Sequence, residues 1–230
     1  MKKLLKALRD LLYPPRCVLC GKLMDTSDEP LCPACLDALP DFTDPVPKVR
    51  FTSGGAVAFF YEDKLRSSFL RYKFKGSSHY APVYGAWLSA VIDANLSGKY
   101  DIATWVPISR RRRFRRGYDQ TELLCRQAMR RLGTEPVRLL QKRVHTPPQS
   151  SLLHAEERRA NVSNAFSVCA DIPAGARVLL IDDIVTTGAT LSECARMLRM
   201  AGAVSVCYAA FAAPRNSRTK EERYGNQTDS

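Results

Sequence analysis

"VLLIDDIVTTGAT", residues 178 to 190, runs from an apolar stretch through two adjacent acids into a hydroxyl-rich turn with one glycine. Its first part, with Arg177, gives "RVLLID" (177–182), a strand of the kind buried on both faces. Asp182 and Asp183 emerge at the strand tip, where two carboxylates accept hydrogen bonds from a vicinal diol or hold Mg²⁺ through water. Thr186, Thr187, Gly188, Ala189 and Thr190 then offer successive backbone N–H groups where a helix opens. The dipole of that helix favours phosphate, and Gly188 lets a ligand approach the backbone closely. Diol acceptors beside a phosphate cradle describe a site for a ribose 5-phosphate. A lone D-D after a strand is common and T-T-G alone is an ordinary helix cap, but the thirteen residues together are much more specific.

Downstream, Thr190 to Ala201 reads as a helix stopped by Gly202, and "VSVCYAAF" (204–211) as another strand. Upstream, "GAVAFFY" (55–61) is a strand and "DKLRSSFLRYKF" and "PVYGAWLSAVIDANL" are helices broken at residues 76–81. "DIATWV" (101–106) is a second strand. Asp119 and Glu122 form a D-x-x-E capping box for a helix whose Leu124, Ala128 and Leu132 share one face. Strands alternating with helices imply crossovers and a mostly parallel α/β sheet covered on both faces. Ligands in such sheets sit beyond the carboxyl ends of the strands. The strand at 101–106 delivers a second unusual feature there, "ISRRRRFRRGYDQ" (108–120), read as a loop with six arginines in seven positions and no lysine.

The net charge of +12 is concentrated around it, since residues 101–160 hold 14 Lys and Arg against 6 Asp and Glu. A localised basic face attracts phosphate-bearing partners. A targeting signal fits poorly, because a strand, a glycine turn and a capped helix fix the run inside a fold.

At the front, Cys17-x2-Cys20 and Cys32-x2-Cys35 form two knuckles that close a tetrahedral S4 site suited to structural zinc. The polar segment between them is too short for a core, so metal is expected to supply much of the module's folding energy. Two disulfides fit poorly with a chain that shows no secretion signal. Cys125, Cys169, Cys194 and Cys207 lack such partners and read as small core residues. No stretch of about 18 apolar residues suggests a membrane span. The first thirteen residues read as a short amphipathic helix, with Leu4, Leu5, Leu8, Leu11 and Leu12 on one face. The domains expected are 1–45 (helix and zinc module), 50–213 (the α/β domain) and 214–230 (a disordered tail), in a cytoplasmic protein.

The stretch at 178–190 resembles the phosphoribosyl-pyrophosphate (PRPP) signature of type I phosphoribosyltransferases. With "PPRCVLC…LCPAC", "VPISRRRRFRRGYDQTELL" and "RRANVSNAF" in that order, nearly the whole chain resembles the ComF family, also called ComFC or GntX-like. That family couples a four-cysteine zinc finger to a phosphoribosyltransferase domain and is associated with DNA uptake in natural transformation. The resemblance implies that Asp182 and Asp183 bind the ribose of PRPP with Mg²⁺, and that Thr186 to Thr190 hold its 5-phosphate. It gives Ser109, Arg113, Arg116 and Gly117 to a pyrophosphate loop, and Gln149, Arg158 and Asn161 to a hood over the site. Arg110, Arg111, Arg112, Phe114, Arg115 and Tyr118 are then expected to face outward as a groove for single-stranded DNA, arginine gripping phosphate and the rings stacking on bases. The partners implied are PRPP, single-stranded DNA and the DNA-uptake machinery at the inner face of the membrane. The alternative is an active Mg-dependent phosphoribosyltransferase with an unidentified acceptor and no nucleic-acid role. No nucleophile or general base stands out, because the lone histidines 145 and 154 sit on a polar stretch.

Overall fold

The computed structural model describes residues 14–25, 28–143 and 165–215. The leading helix, the hood segment with Gln149, Arg158 and Asn161, and the tail from 216 lie outside the described residues.

The elements, in chain order, are α1 (Pro33–Leu36), β1 (Gly55–Phe60), α2 (Asp63–Phe74), a 3₁₀ turn (Ser78–Tyr80), α3 (Ala81–Leu96), β2 (Ile102–Trp105), α4 (Arg110–Arg116), α5 (Gln120–Arg131), β3 (Leu140–Lys142), β4 (Phe166–Val168), β5 (Arg177–Ile184), α6 (Ala189–Met200) and β6 (Ser205–Ala213). Four strands make one parallel sheet in the order β1-β6-β5-β2, while β3 and β4 form a small antiparallel pair. The sheet is a parallel α/β sheet flanked by helices, joined to a small four-cysteine module.

Strand β5 shows why an unbroken apolar run was needed. Leu179 and Ile181 join a core under α2, α3 and α5, whereas Val178 and Leu180 join a second core under α6. Both faces are covered, so no polar position is tolerated until the acids at the tip. The first core holds a stack of rings in which Phe69 and Phe211 lie parallel with centroids 4.9 Å apart. It also takes in Cys17, Val18, Leu19, Leu31 and Cys35, so the front module shares the core of the α/β domain.

Three findings differ from the sequence reading. The arginine run is the helix α4, opened by the Ser109 hydroxyl and closed at Gly117 in a left-handed conformation (φ 80). Arginine is a good helix former, and a glycine adopts that closing conformation without a Cβ penalty. Cys169 is exposed, unlike Cys125, Cys194 and Cys207, which are buried as expected. Arg215, within the expected tail, is tied down: its guanidinium pairs with Glu62 at 2.7 Å and lies 3.6 Å from the Phe60 ring centroid.

Both outer strands of the sheet carry extended chain along part of their free edge. The Phe42 N–H donates to the Ala58 carbonyl of β1 and the Phe60 N–H of β1 donates to the Pro40 carbonyl; the Val137 N–H donates to the Ala103 carbonyl of β2.

Candidate functional site

Because β2 and β5 pair in parallel, with Trp105 beside Ile181, their carboxyl ends deliver α4 and the two acids to the same rim of the sheet. Asp182 accepts the Asp183 N–H through Oδ1 at 2.8 Å. Asp183 Oδ2 takes the Lys73 ammonium and the Gln120 side-chain amide, both at 2.9 Å. Each carboxyl therefore keeps a second oxygen that receives no hydrogen bond from a described residue, which is the capacity a diol needs.

The two acids are driven apart electrostatically. Burial, then the neighbouring Asp183 charge, pushes Asp182 well above the usual carboxylate range. Burial pushes Asp183 the same way, but Lys73, Gln120 and Arg116 outweigh it and hold Asp183 below that range. The pair thus holds its two protons unequally, Asp182 keeping one more readily than Asp183.

Helix periodicity sorts the arginines. Arg112, Arg115 and Arg116 line a cavity of about 620 Å³ with Asp182, Asp183, Thr186 and Thr190. Arg110 and Arg111 line a second depression of about 310 Å³ with Ser109, Gln141, Lys142 and Arg143. The expected split is therefore redrawn. Arg113 turns outward to Glu122 at 3.7 Å and leaves the cavity wall, while Arg112 and Arg115 take its place. Tyr118 points inward, its hydroxyl donating to the Tyr72 carbonyl, so its ring is not displayed for stacking. Phe114 is displayed, at 92% exposure. Ser109 is buried and serves as the cap of α4, and Gly117 ends it.

Arg116 is the informative member. One terminal nitrogen donates to Gln120 Oε1 at 2.5 Å, and Gln120 passes the contact on to Asp183. Its Nε is buried without a partner among the described residues. A buried donor costs free energy unless an acceptor arrives, and a phosphate oxygen is such an acceptor.

The turn after β5 leads into α6, with Gly188 left-handed (φ +70), where a Cβ would come within 3.1 Å of the Val49 side chain. Thr187 Oγ1 accepts the Ala189 N–H at 3.4 Å. Gly188 and Ala189 border a small recess with Thr186 and Thr190.

Lys73, Gln120 and Lys142 were missed from sequence. Lys73 sits in the last turn of α2 and Lys142 at the end of a three-residue strand, neither in a motif. Lys142 lies 4.9 Å from the Phe166 ring centroid, and burial, then Arg112, brings it down to about 8.

At the front, the four sulfurs of Cys17, Cys20, Cys32 and Cys35 all lie within 4.8 Å of one another. Burial opposes ionisation of Cys17, but the N–H groups of Cys20, Cys32 and Leu19 bring it down to about 6. Burial, then the thiols of Cys32, Cys20 and Cys17, pushes Cys35 up to about 12. Four sulfurs this close ionise together only around a cation, and the donor set suits zinc with no open position for water. The module is fastened to α2, where Arg71 donates to the carbonyls of Val18 at 3.0 Å and Leu19 at 2.7 Å, and Ser68 donates to Val18.

Comparison with known proteins gives two family matches. A double zinc ribbon domain matches residues 8–48, and a phosphoribosyl transferase domain matches residues 125–228. The chain carries only one set of four zinc ligands within the first match. It is 43% identical to Competence protein F of Haemophilus influenzae over 42% of this chain and 43% of that protein. It is 35% identical to DNA utilization protein YhgH of Escherichia coli K12 over 44% of each. With Competence protein ComFC of Streptococcus pneumoniae the identity is 30% over 64% of this chain and 63% of that one. The matches thus span less than half the length of the first two relatives. No described helix is long and apolar enough to cross a membrane.

Proposed function

We propose that the chain is a ComF-type protein, a zinc ribbon joined to a phosphoribosyltransferase domain, and that it binds PRPP and single-stranded DNA and works in the handling of incoming DNA. PRPP occupies the cavity between β5, α4 and α6, with its ribose hydroxyls on Asp182 and Asp183 and its 5-phosphate in the turn 186–190. Arg112, Arg115, Arg116 and Lys142 face its pyrophosphate. Mg²⁺, bound with PRPP, would spread the charge of the pyrophosphate. Single-stranded DNA tracks the outer side of α4, with Arg110 and Arg111 on its phosphates and Phe114 stacking on a base. This role fits a cytoplasmic protein at the inner face of the membrane, beside the uptake machinery.

The observation that carries the reading is that Arg116, whose Nε is buried without a partner among the described residues, lines the same cavity as the two acids. One ligand with a diol and a distant phosphate group satisfies both. PRPP with Mg²⁺ is expected to raise the melting temperature, and Asp182→Asn/Asp183→Asn to abolish that rise; an undiminished rise in the variant rejects the ribose assignment. DNA affinity is expected to fall steeply with salt, and Arg110→Ala/Arg111→Ala to flatten the slope; a flat slope in the parent removes the DNA groove.

Turnover is the second reading. Donors aimed where pyrophosphate departs suit catalysis as well as binding, and pyrophosphate released from PRPP in the presence of an acceptor is its measure.

A further inference from the structure

The last turn of α2 is anchored at four consecutive positions, each reaching a different part of the molecule. One terminal nitrogen of Arg71 donates to two carbonyls of the first cysteine knuckle, Val18 at 3.0 Å and Leu19 at 2.7 Å. The Tyr72 hydroxyl donates to the Gln120 carbonyl at 2.8 Å. The Lys73 ammonium meets Asp183 Oδ2 at 2.9 Å. The Phe74 ring centroid lies 4.5 Å from the Arg116 guanidinium. The helix then stops at Lys75 and Gly76 turns left-handed (φ +68), so no further helical turn steadies this end.

Three of these anchors belong to the cavity. Gln120 and Lys73 share Asp183, and Arg116 is bonded to Gln120. The remaining anchor belongs to the cysteine module. Val18 and Leu19 are buried and sit between Cys17 and Cys20, so their carbonyls face Arg71 only while the knuckle keeps its shape. Four sulfurs around one zinc would impose that shape. Ser68, one turn earlier, also donates to Val18 and doubles the grip. A helical turn is stiff, so a displacement at residue 71 is carried to residue 73. Burial opposes the charge on Asp183, but Lys73, then Gln120 and Arg116, hold it below the usual carboxylate range. That hold weakens as the ammonium moves away.

We propose that Arg71 is a positioning residue that ties the ribose-binding acids to the cysteine module, so that zinc occupancy and PRPP binding are linked through the last turn of α2. The ligand named rests on the PRPP reading; the tie between Arg71 and Asp183 does not. A module that served only as packing would lower stability when loosened and leave the cavity's affinity alone. Linkage is reciprocal, so zinc that steadies the cavity is itself steadied by PRPP.

The test uses the full zinc-loaded chain and its Arg71→Ala and Arg71→Lys variants. Metal analysis gives the zinc content, equilibrium dialysis gives the PRPP affinity with Mg²⁺, and carboxyl NMR follows Asp183. Arg71→Ala is expected to keep its zinc, to bind PRPP about fivefold more weakly, and to let Asp183 titrate nearer its ordinary value. Arg71→Lys, which can still donate to one carbonyl, is expected to restore much of both. In the parent, PRPP is expected to slow the loss of zinc to a chelator, a readout that needs no variant to fold. Where the parent binds PRPP, an unchanged affinity in Arg71→Ala, or a zinc loss that PRPP does not slow, overturns the link and leaves the PRPP site standing. No PRPP binding by the parent, with Asp183 still moved in the variant, rejects the PRPP reading and keeps the tie. An Asp183 titration unmoved by Arg71→Ala overturns the tie whatever PRPP does.

Discussion

The cysteine module and the cavity at the rim of the sheet are both clusters of chemically active side chains, yet they are built in opposite ways. The module draws four sulfurs from residues 17–35, within 4.8 Å of one another. The cavity draws from α2, α4, α5, β3 and β5, and its Gln120–Asp183 contact joins residues 63 apart in sequence. The first site is a local arrangement that needs a metal to hold it; the second is made by the sheet and exists only once the whole core has formed. A local code can be read by counting residues. A site assembled by the fold cannot, and its Asp183 is met by side chains from distant elements.

The largest effect expected is at the module. Structural zinc is worth about 10–16 kcal/mol in small zinc domains, so Cys35→Ser should abolish its stoichiometric zinc content. Because Cys35 lies in the shared core, the melting temperature of the whole chain should fall with it; metal analysis and circular dichroism check both. Unchanged stability would mean that the two regions are more separate than their common core suggests.

Next comes the cavity's own ion pair. Lys73→Met leaves Asp183 buried without its counter-charge, a loss of about 3–5 kcal/mol at pH 7. The sign with pH follows from the lowered value of Asp183 in the parent. Its stabilisation is present above the unfolded carboxylate value of about 3.9 and is lost as pH falls through the lower folded value. In the variant Asp183 takes up a proton more readily, so the gap between variant and parent should narrow from pH 7 to pH 4. Urea melts at the two values measure it.

Between these lies the seam. Arg71→Ala removes charged hydrogen bonds to Val18 and Leu19, worth about 2 kcal/mol. Protease should then cut residues 14–45 first, with zinc still bound. The smallest change in stability is expected at Phe114→Ala, within about 0.5 kcal/mol because the ring is exposed. Its effect on single-stranded DNA affinity should be larger, about 1–3 kcal/mol; titration by fluorescence anisotropy compares the two.

The same contrast decides what could be read from the chain beforehand. The cysteine spacing, the apolar run of β5 and the acid pair are local patterns, and the expected strands at 177–182 and 204–211 fall on β5 and β6. The arginine run was misread as a loop because its like charges hid a cap at Ser109 and a stop at Gly117. Once it is a helix, a spacing of three and four sends Arg112, Arg115 and Arg116 one way and Arg113 another. Lys73 lies in no motif and Gln120 only closes the arginine stretch, and nothing near either residue announces a partner on a distant strand. Strands β3 and β4 are three residues each, too short for an alternation to stand out.

One modest feature of the sheet has a wider consequence. With Pro40 and Phe42 lying along β1 and Val137 along β2, the lateral margins of the sheet are partly occupied before any other molecule arrives. Bare strand margins zip neighbouring copies into fibres wherever molecules are crowded. Those flanking segments leave each copy less open to that pairing and freer to keep its own fold.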